Sequence, residues 1–303
     1  MVEWLLGVGL FILQRHLLMP NLLLAESGST KTDWCLLRPG ARVVKFKTAG
    51  INPYLQTGEA ISEMLKHEMA WNKDRHNVDI ISFYGSGAGS AANQKLVQDA
   101  LQQFFGIKKV GVQSDMMAAA HALCGSNKGV VCIIGTGSNS CYYDGKRIAE
   151  QQSSLGYVAG DEGSGNYMGK RVLQYYAYKT FDAELMASFE MLYGNDLSDI
   201  LHHIYREPFP NRYLAGFVQL LCDNRGHFMV ENIIEDCLND FFHHHILKYR
   251  QSWKQPIHFT GSISWGFRDV ITDLCHQYEL ELGKIVQSPM EGLIRYYKQG
   301  ITI

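Results

Sequence analysis

Two short turns rich in glycine and hydroxyls, each directly after an apolar strand, constrain this chain more than anything else in it. Leu22-Leu23-Leu24-Ala25 runs into Glu26-Ser27-Gly28-Ser29-Thr30, and Val130-Val131-Cys132-Ile133-Ile134 runs into Gly135-Thr136-Gly137-Ser138. Each turn leads into a second strand-like run, Asp33–Leu37 and Ser140–Tyr143, not into a helix. Ser27 and Gly135 lie 108 positions apart (135 minus 27) in a chain of 303 residues. A strand–turn–strand unit that restarts at such an interval predicts two related halves.

The remaining periodicities fill in that frame. Val43–Phe46 reads as a third strand, Glu59–Trp71 as an amphipathic helix, and Ile80–Tyr84 as a buried strand. A helix over Ala91–Phe105, a short strand Val110–Val112 and a helix over Met116–Leu123 follow. Asn166–Arg250 reads as mostly helical, ahead of a strand Ile257–Phe259 and a helix from about Phe267 to Leu280. The pattern predicts an α/β fold in two lobes, 21–125 and 126–303, behind an N-terminal extension 1–20. Within that extension Trp4–Leu13 is apolar, yet far short of the roughly 20 apolar residues a membrane span needs. Met19 stands directly before the first strand, so an over-extended start codon is the preferred reading and an interfacial anchor the alternative.

Composition narrows the function. Lys+Arg 28 against Asp+Glu 30 leaves a formal charge of −2, which argues against a chain built to grip nucleic acid or anionic lipid. Seven cysteines without a C-x-x-C pair argue against a disulfide framework or structural zinc, and point to a reducing, cytoplasmic setting. Gly 29 against Pro 7 implies backbone that turns tightly or lies close to a ligand. Ten of those glycines fall from Gly125 to Gly169.

Neither turn is a Walker A loop, and no strand is followed by a dinucleotide-binding G-x-G-x-x-G. Each is compatible with an ordinary hairpin, but small residues and hydroxyls at such a turn can also aim backbone amides at an anion. Two of them could hold the phosphates of one nucleotide. Asp115 follows a strand and precedes a helix, so it reads either as an N-cap beside Ser114 or as a carboxylate at a strand's C-terminal end. Gly160-Asp161-Glu162-Gly163-Ser164 puts two carboxylates between glycines, with acceptors for hydroxyls or a hydrated metal and Ser164 as a potential helix cap. His243-His244-His245 and His202-His203 read as helix surface, because successive helical positions diverge by about 100°.

In this order, Ala25–Thr32, Gly135–Ser138, Gly160–Ser164 and Gly261-Ser262-Ile263 resemble the N-acetylglucosamine kinase and BadF/BadG/BcrA/BcrD ATPase family of the actin-like sugar-kinase superfamily. Tyr205-Arg206-Glu207 and Leu214-Ala215-Gly216-Phe217 match its kinase branch. The resemblance runs from Asn21 to the C-terminus. It implies two actin-like (ribonuclease H-like) lobes holding ATP and a sugar in a cleft, and a homodimer. Ser27, Gly28, Ser29, Thr30 and Lys31 would lie against the phosphates, with Glu26 toward Mg²⁺. Gly135, Thr136, Gly137 and Ser138 would hold phosphates from the other lobe, and Gly261 and Ser262 the adenosine. Asn52, Ser86, Gly87, Asp161 and Glu162 would contact the amino sugar, and Asp115 would be the general base. The family usually has Asp where this chain has Glu26, and the added methylene shifts the carboxylate by on the order of one C–C bond.

The implied activity is ATP-dependent phosphorylation of N-acetylglucosamine, or a relative such as N-acetylmuramic acid, to its 6-phosphate. Two alternatives stand beside it. One is an ATPase that activates a partner enzyme through an iron–sulfur cluster, for which Cys124 is the one suggestive residue. The other is a sugar or nucleotide sensor with weak turnover, which Glu26 motivates.

Overall fold

A computed structural model of the chain describes residues 20–28, 30–69 and 77–299. The expected N-terminal extension lies outside the described residues except for Pro20, and Ser29 lies outside them too. The chain divides into two compact units. One takes the residues up to Ala122 together with the segment from Met290, and the other is Leu123–Pro289. This differs from the expected division at 125/126, because the C-terminal helix Met290–Lys298 packs with the first sheet.

In the first unit, β1 (Leu22–Ser27), β2 (Lys31–Leu37), β3 (Val44–Ala49), β4 (Ile80–Gly85) and β5 (Val110–Ser114) form one sheet in the order β3-β2-β1-β4-β5. β1 pairs antiparallel with β2 and parallel with β4, and β4 runs parallel to β5. The strand period of two sorts the side chains of β1 onto opposite faces. Leu23 and Ala25 join Ile61 and Leu65 of α1 (Gly58–Met69) and Val97 and Leu101 of α2 (Ala91–Phe105). Leu24 faces the other way, toward Ala118 and Ala122 of α3 (Asp115–Leu123) and Leu293 and Ile294 of the C-terminal helix. That helix is tied down by Lys45, which pairs with Glu291, and by Tyr297 Oη, 2.8 Å from both Ser82 Oγ and Tyr84 Oη.

The second unit repeats the plan. β6 (Gly129–Ile134), β7 (Ser138–Tyr143), β8 (Ile148–Gln151), β9 (Ile257–Thr260) and β10 (Leu282–Val286) form a sheet in the order β10-β9-β6-β7-β8. Read from the other end, each strand has the neighbours and the sense of its counterpart in the first sheet. The two turns 108 positions apart thus open two copies of one topology. Between β8 and β9 the chain inserts α4 (Gly156–Ala159), α5 (Gly165–Ala177), α6 (Ala183–Tyr193), α7 (Leu197–Arg206), α8 (Pro210–Gly216), α9 (Val218–Asp223) and α10 (Phe228–His244). Phe189 of α6, Phe217, and Phe241 and Phe242 of α10 are fully buried in the core these helices make with β6 and β9.

The sequence reading differs in a few places. The helix expected from about Phe267 to Leu280 forms as α12 (Arg268–Gln277), and a short helix that the sequence reading lacked, α11 (Ser262–Gly266), precedes it. β8, β10 and the C-terminal helix carry too few apolar positions in alternation to have been read as elements, and most of their residues are half-exposed or exposed. Six cysteines are buried as small hydrophobes, but Cys222 is exposed.

One glycine sets the spacing of the helical layer. A Cβ on Gly169 of α5 would sit 1.8 Å from the carbonyl oxygen of Leu214 on α8, a backbone atom that has nowhere to go. Gly169→Ala is therefore expected to cost about 3 kcal/mol, the upper range of overpacking, and to lower the melting temperature by about 6–12 °C in a thermal melt. An unchanged melting temperature would mean that α8 is not seated on α5.

Candidate active site

Parallel pairing puts the C-terminal ends of three strands of the first unit in register. Ser27 of β1 pairs with Gly85 of β4, and Gly85 with Ser114 of β5. The residues just past that row are the ones an open α/β sheet offers to ligands. They include Gly28, Ser86, Gly87 and Asp115, so the sequence-derived residues of this unit converge on one rim.

The backbone there is fixed tightly. Ser27 is fully buried and its hydroxyl is used internally: it lies 2.8 Å from Thr32 Oγ1 and accepts the Ile51 amide at 2.8 Å. Expected as a phosphate contact, the Ser27 side chain instead pins the loop carrying Asn52. The Gly28 amide donates to the Lys31 carbonyl at 3.0 Å and closes the turn. Lys31 Nζ donates to Asp33 Oδ2 at 2.9 Å, and that carboxylate holds the ammonium above its usual range. Thr30 is exposed beside this ion pair. The Ser86 amide donates to the Ser27 carbonyl at 3.0 Å. Gly87 adopts φ +82°, and a Cβ on it would lie 2.5 Å from Asn52 Oδ1, so Asn52 and Gly87 are in direct apposition. Asn52 Oδ1 also accepts the Tyr54 amide at 3.0 Å in an Asx turn.

Asp115 opens α3. Ser114 Oγ accepts the Met117 amide at 3.3 Å, so Ser114 serves as the cap. Asp115 Oδ1 accepts the adjoining Met116 amide at 2.9 Å. Burial raises its carboxyl above the ordinary aspartate range, against the pull of that amide. Glu26 stands on β1 opposite Asp33 in the hairpin register. Burial first, then the charges of Asp33 and Asp115, push the Glu26 carboxyl up to about 7, with Lys31 opposing. From the sequence Asp33 is a strand residue alone, yet the register that pairs Ser27 with Thr32 also places it against Glu26.

In the second unit the Gly135–Ser138 turn lies at the matching end of β6. Its Gly135 amide donates to the Gly137 carbonyl at 2.9 Å. Among the described residues no protein acceptor takes the Thr136 or Gly137 amide, and a side chain on Gly135 would meet nothing within 4 Å. The Thr136 and Gly137 amides are therefore left as donors for a ligand, as an anion site requires. Gly261, at φ +124°, comes so near that a Cβ would fall 2.2 Å from the Ile134 carbonyl oxygen, so the Gly261-Ser262 motif abuts the turn. At the start of α5, the Gly165 amide donates to the Gly135 carbonyl at 2.8 Å and the Asn166 amide to the Thr136 carbonyl at 3.0 Å. Ser164 caps that helix, its hydroxyl accepting the Tyr167 amide.

Asp161 departs from expectation. Its φ of +59° is rare for a residue with a Cβ, and its buried carboxylate turns onto the turn rather than outward. Oδ2 accepts Asn166 Nδ2 at 2.8 Å, and Gly137 is so close that a Cβ there would lie 2.9 Å from the same oxygen. Burial raises the Asp161 carboxyl, with Asn166 opposing. Asn166 Nδ2 also donates to the Thr136 carbonyl, at 2.6 Å. Glu162 anchors the turn through its carbonyl, which accepts Ser138 Oγ at 2.7 Å, leaving its carboxylate pointing elsewhere. Oε2 of that carboxylate lies 3.3 Å from Nε2 of His245. His245 is thus buried and not helix surface: its amide donates to the Phe241 carbonyl at 2.9 Å, so it continues the buried row of Cys237 and Phe241 at the end of α10.

A model of the BadF/BadG/BcrA/BcrD ATPase family matches residues 26–219, more than half of the chain. The chain belongs to this family. A curated relative, an N-acetylmuramic acid/N-acetylglucosamine kinase of Clostridium acetobutylicum, is 24% identical over 168 residues, 52% of this chain and 54% of the relative. The chain thus spans about half the length of the curated relative it matches. A crystal structure from Porphyromonas gingivalis, described as a candidate N-acetylglucosamine kinase, is 37% identical, covers 92% of this chain and 99% of that one, and superposes with TM-score 0.88. A glucokinase of the ROK family from Streptomyces griseus, solved with glucose and AMPPNP, shares the fold at TM-score 0.56 and 15% identity, covering 92% of this chain and 98% of that one.

For this family of ATPases, the donors on the Gly135–Ser138 turn fit the phosphates of ATP. A magnesium ion suits the other rim. Carboxylate oxygens stand there on Glu26, Asp33 and Asp115, Mg²⁺ keeps most of its waters and needs only one or two carboxylates, and a cation would oppose the burial and the neighbouring charges that raise Glu26. Among the described residues no helix is long and apolar enough to cross a membrane.

Proposed function

We propose that this chain is an ATP-dependent amino-sugar kinase that phosphorylates N-acetylglucosamine, or a relative such as N-acetylmuramic acid, at its 6-hydroxyl. The observation that carries this is Asp115. It is a carboxylate with a raised pKa at the ligand-facing rim, near Glu26 and at the end of β5, on the same rim as Ser86 and Gly87, with Asn52 apposed to Gly87. The names of the Clostridium and Porphyromonas relatives support the same substrate class.

In this reading Asn52, Ser86 and Gly87 seat the sugar and Glu162 accepts one of its hydroxyls. Asp161, whose Oδ2 is engaged by Asn166 and faces Gly137, holds the phosphate turn instead of touching the sugar. Asp115 takes the proton from the attacking hydroxyl as its oxygen bonds to the γ-phosphorus. The bond from that phosphorus to the bridging oxygen breaks, and ADP leaves. The Thr136 and Gly137 amides steady the phosphates, and Gly261 and Ser262 lie toward the adenosine. Gly28, Thr30 and Lys31 line the phosphate side of the first rim. Glu26 would hold Mg²⁺, directly or through water, and that ion supplies charge neutralisation on the phosphates. Such transfer is driven mainly by positioning and electrostatics.

The reduced cysteines fit a cytoplasmic enzyme, and a homodimer is the family expectation. Cys124, the residue that suggested an iron–sulfur activator, is buried with its sulfur against Gly129, a poor place for a cluster ligand shared between subunits. Proton-coupled phosphorus NMR of the product made from N-acetylglucosamine and ATP tests the assignment. A phosphate coupled to the C6 protons is expected. Coupling to another carbon overturns the 6-phosphate, and absence of any sugar phosphate overturns the kinase.

A further inference from the structure

Behind Glu162 runs a chain of buried polar groups that phosphoryl transfer does not call for. The backbone amide of Gln152 donates to Tyr249 Oη at 2.9 Å, and Tyr249 Oη lies 2.9 Å from Ser140 Oγ. Ser140 Oγ lies 3.1 Å from His245 Nδ1, and His245 Nε2 lies 3.3 Å from Glu162 Oε2. The order Glu-His-Ser looks like a hydrolase triad. Ser140 is 0% exposed, however, in the middle of β7, where no acyl substrate can reach it.

The chain has one consistent proton direction. An amide N–H can only donate, so Tyr249 Oη accepts it and has its own proton to give to Ser140. Ser140 then donates to Nδ1. A carboxylate can only accept, which assigns the remaining imidazole proton to Nε2. The ring is neutral in this arrangement, and burial, which lowers the His245 pKa, favours that form. Phe241 stacks on the ring at 4.6 Å, and Gly163 admits α10 so closely that a Cβ there would lie 2.8 Å from Phe241 Cβ. The imidazole is therefore locked by packing on one side and by hydrogen bonds at both nitrogens. Among the described residues only Glu162 Oε2 is engaged, and the Glu162 side chain keeps 19% of its surface exposed.

We infer that His245 is a positioning residue. It anchors Oε2 of Glu162 so that Oε1 faces outward as the acceptor for a hydroxyl of the bound sugar, and Ser140 and Tyr249 fix the tautomer that makes this work. The role of Glu162 toward a sugar rests on the proposed kinase function, whereas the proton order of the chain does not. Anchoring one carboxylate oxygen lowers the freedom lost when the other binds a hydroxyl, so the effect falls on sugar affinity.

Steady-state kinetics on the full chain with His245→Leu, His245→Gln, Tyr249→Phe and Glu162→Gln test this, with a thermal melt of each variant as the folding control. His245→Leu is expected to raise the sugar KM about tenfold, with the ATP KM within about twofold. His245→Gln, which keeps a donor for Glu162 and an acceptor for Ser140, recovers most of that loss, and Tyr249→Phe costs about threefold. In the Glu162→Gln background His245→Leu adds nothing further. Equal rises in both KM values, or a lowered melting temperature with unchanged sugar KM, overturn the inference. If the wild-type chain turns over no amino sugar, the kinase reading has failed, and nitrogen-15 NMR of labelled histidine decides the chain itself. A His245 ring protonated at Nε2 and bare at Nδ1, shifted by Glu162→Gln, is expected. An Nδ1–H ring or a charged ring overturns it.

Discussion

Asp115→Asn is expected to lower sugar-dependent ADP release by about 10²–10⁴-fold, the range a positioned general base contributes. The amide keeps the size of the side chain and can still accept the Met116 amide that Asp115 Oδ1 accepts, so the start of α3 is preserved. What disappears is a proton acceptor at the end of β5, on the rim formed by the row Ser27, Gly85 and Ser114. ATP binding, measured by calorimetry without sugar, should stay within about threefold, because phosphate contacts are assigned elsewhere. The melting temperature should hold or rise slightly, since burial already disfavours the charged form of Asp115. Full activity in the variant would remove Asp115 from the chemistry.

Glu26→Gln should have the second largest effect, and it reads out in the absence of any substrate. Burial and the neighbouring Asp33 and Asp115 raise the Glu26 carboxyl from 4.5 to about 7. An acid with a raised folded-state pKa binds its proton more tightly when folded. It therefore favours the folded chain at low pH, and that advantage is lost as pH rises from about 4.5 to about 7. Above about pH 7 the wild-type chain bears the full cost of a buried charge, on the order of 3 kcal/mol. Without magnesium, Glu26→Gln should thus be more stable than wild type by about that amount at pH 8, with the gain gone near pH 4.5. Denaturant titrations across that window check it. Magnesium should narrow the gap by stabilising the wild-type chain and not the variant. Turnover should move the other way, with a magnesium requirement raised roughly 10–100-fold, as for other carboxylates that orient a metal. A variant that is less stable at pH 8 would contradict the electrostatic picture of this rim. Glu26→Asp separates the length of the side chain from its charge: it keeps the repulsion, and it changes activity only insofar as the methylene matters.

How much of this was legible in the sequence follows from which residues act locally and which act through pairing. The two turns could be read because each is bounded by an unbroken apolar strand, and the matching strand orders of the two sheets bear out the repeat they implied. α2 ran over Ala91–Phe105 as its periodicity predicted. Ser164 could be read as a cap from its place before an amphipathic helix. Asp33 needed the hairpin register, which turns a strand residue into a neighbour of Glu26. His245 needed the phase of α10: successive helical positions diverge by about 100°, so three histidines in a row cannot all face solvent, and the third falls on the buried row of Cys237 and Phe241. The adjacent carboxylates Asp161 and Glu162 stand out between glycines, but the left-handed backbone at Asp161 decides where its carboxylate points, and a single sequence does not encode that direction in any periodic pattern. Ser27 illustrates the same limit, since a hydroxyl at a phosphate-type turn was instead consumed by Thr32 and Ile51.

The central assignment is an amino-sugar kinase, and a coupled ADP-release assay with magnesium and ATP tests it most directly. N-acetylglucosamine, N-acetylmuramic acid, glucose and a no-sugar control would be compared on the full chain. ADP release that depends on one of the N-acetylated sugars, exceeds that with glucose, and collapses in Asp115→Asn is the expected result. ADP release that is the same with and without sugar, in a chain that still binds ATP, would contradict it.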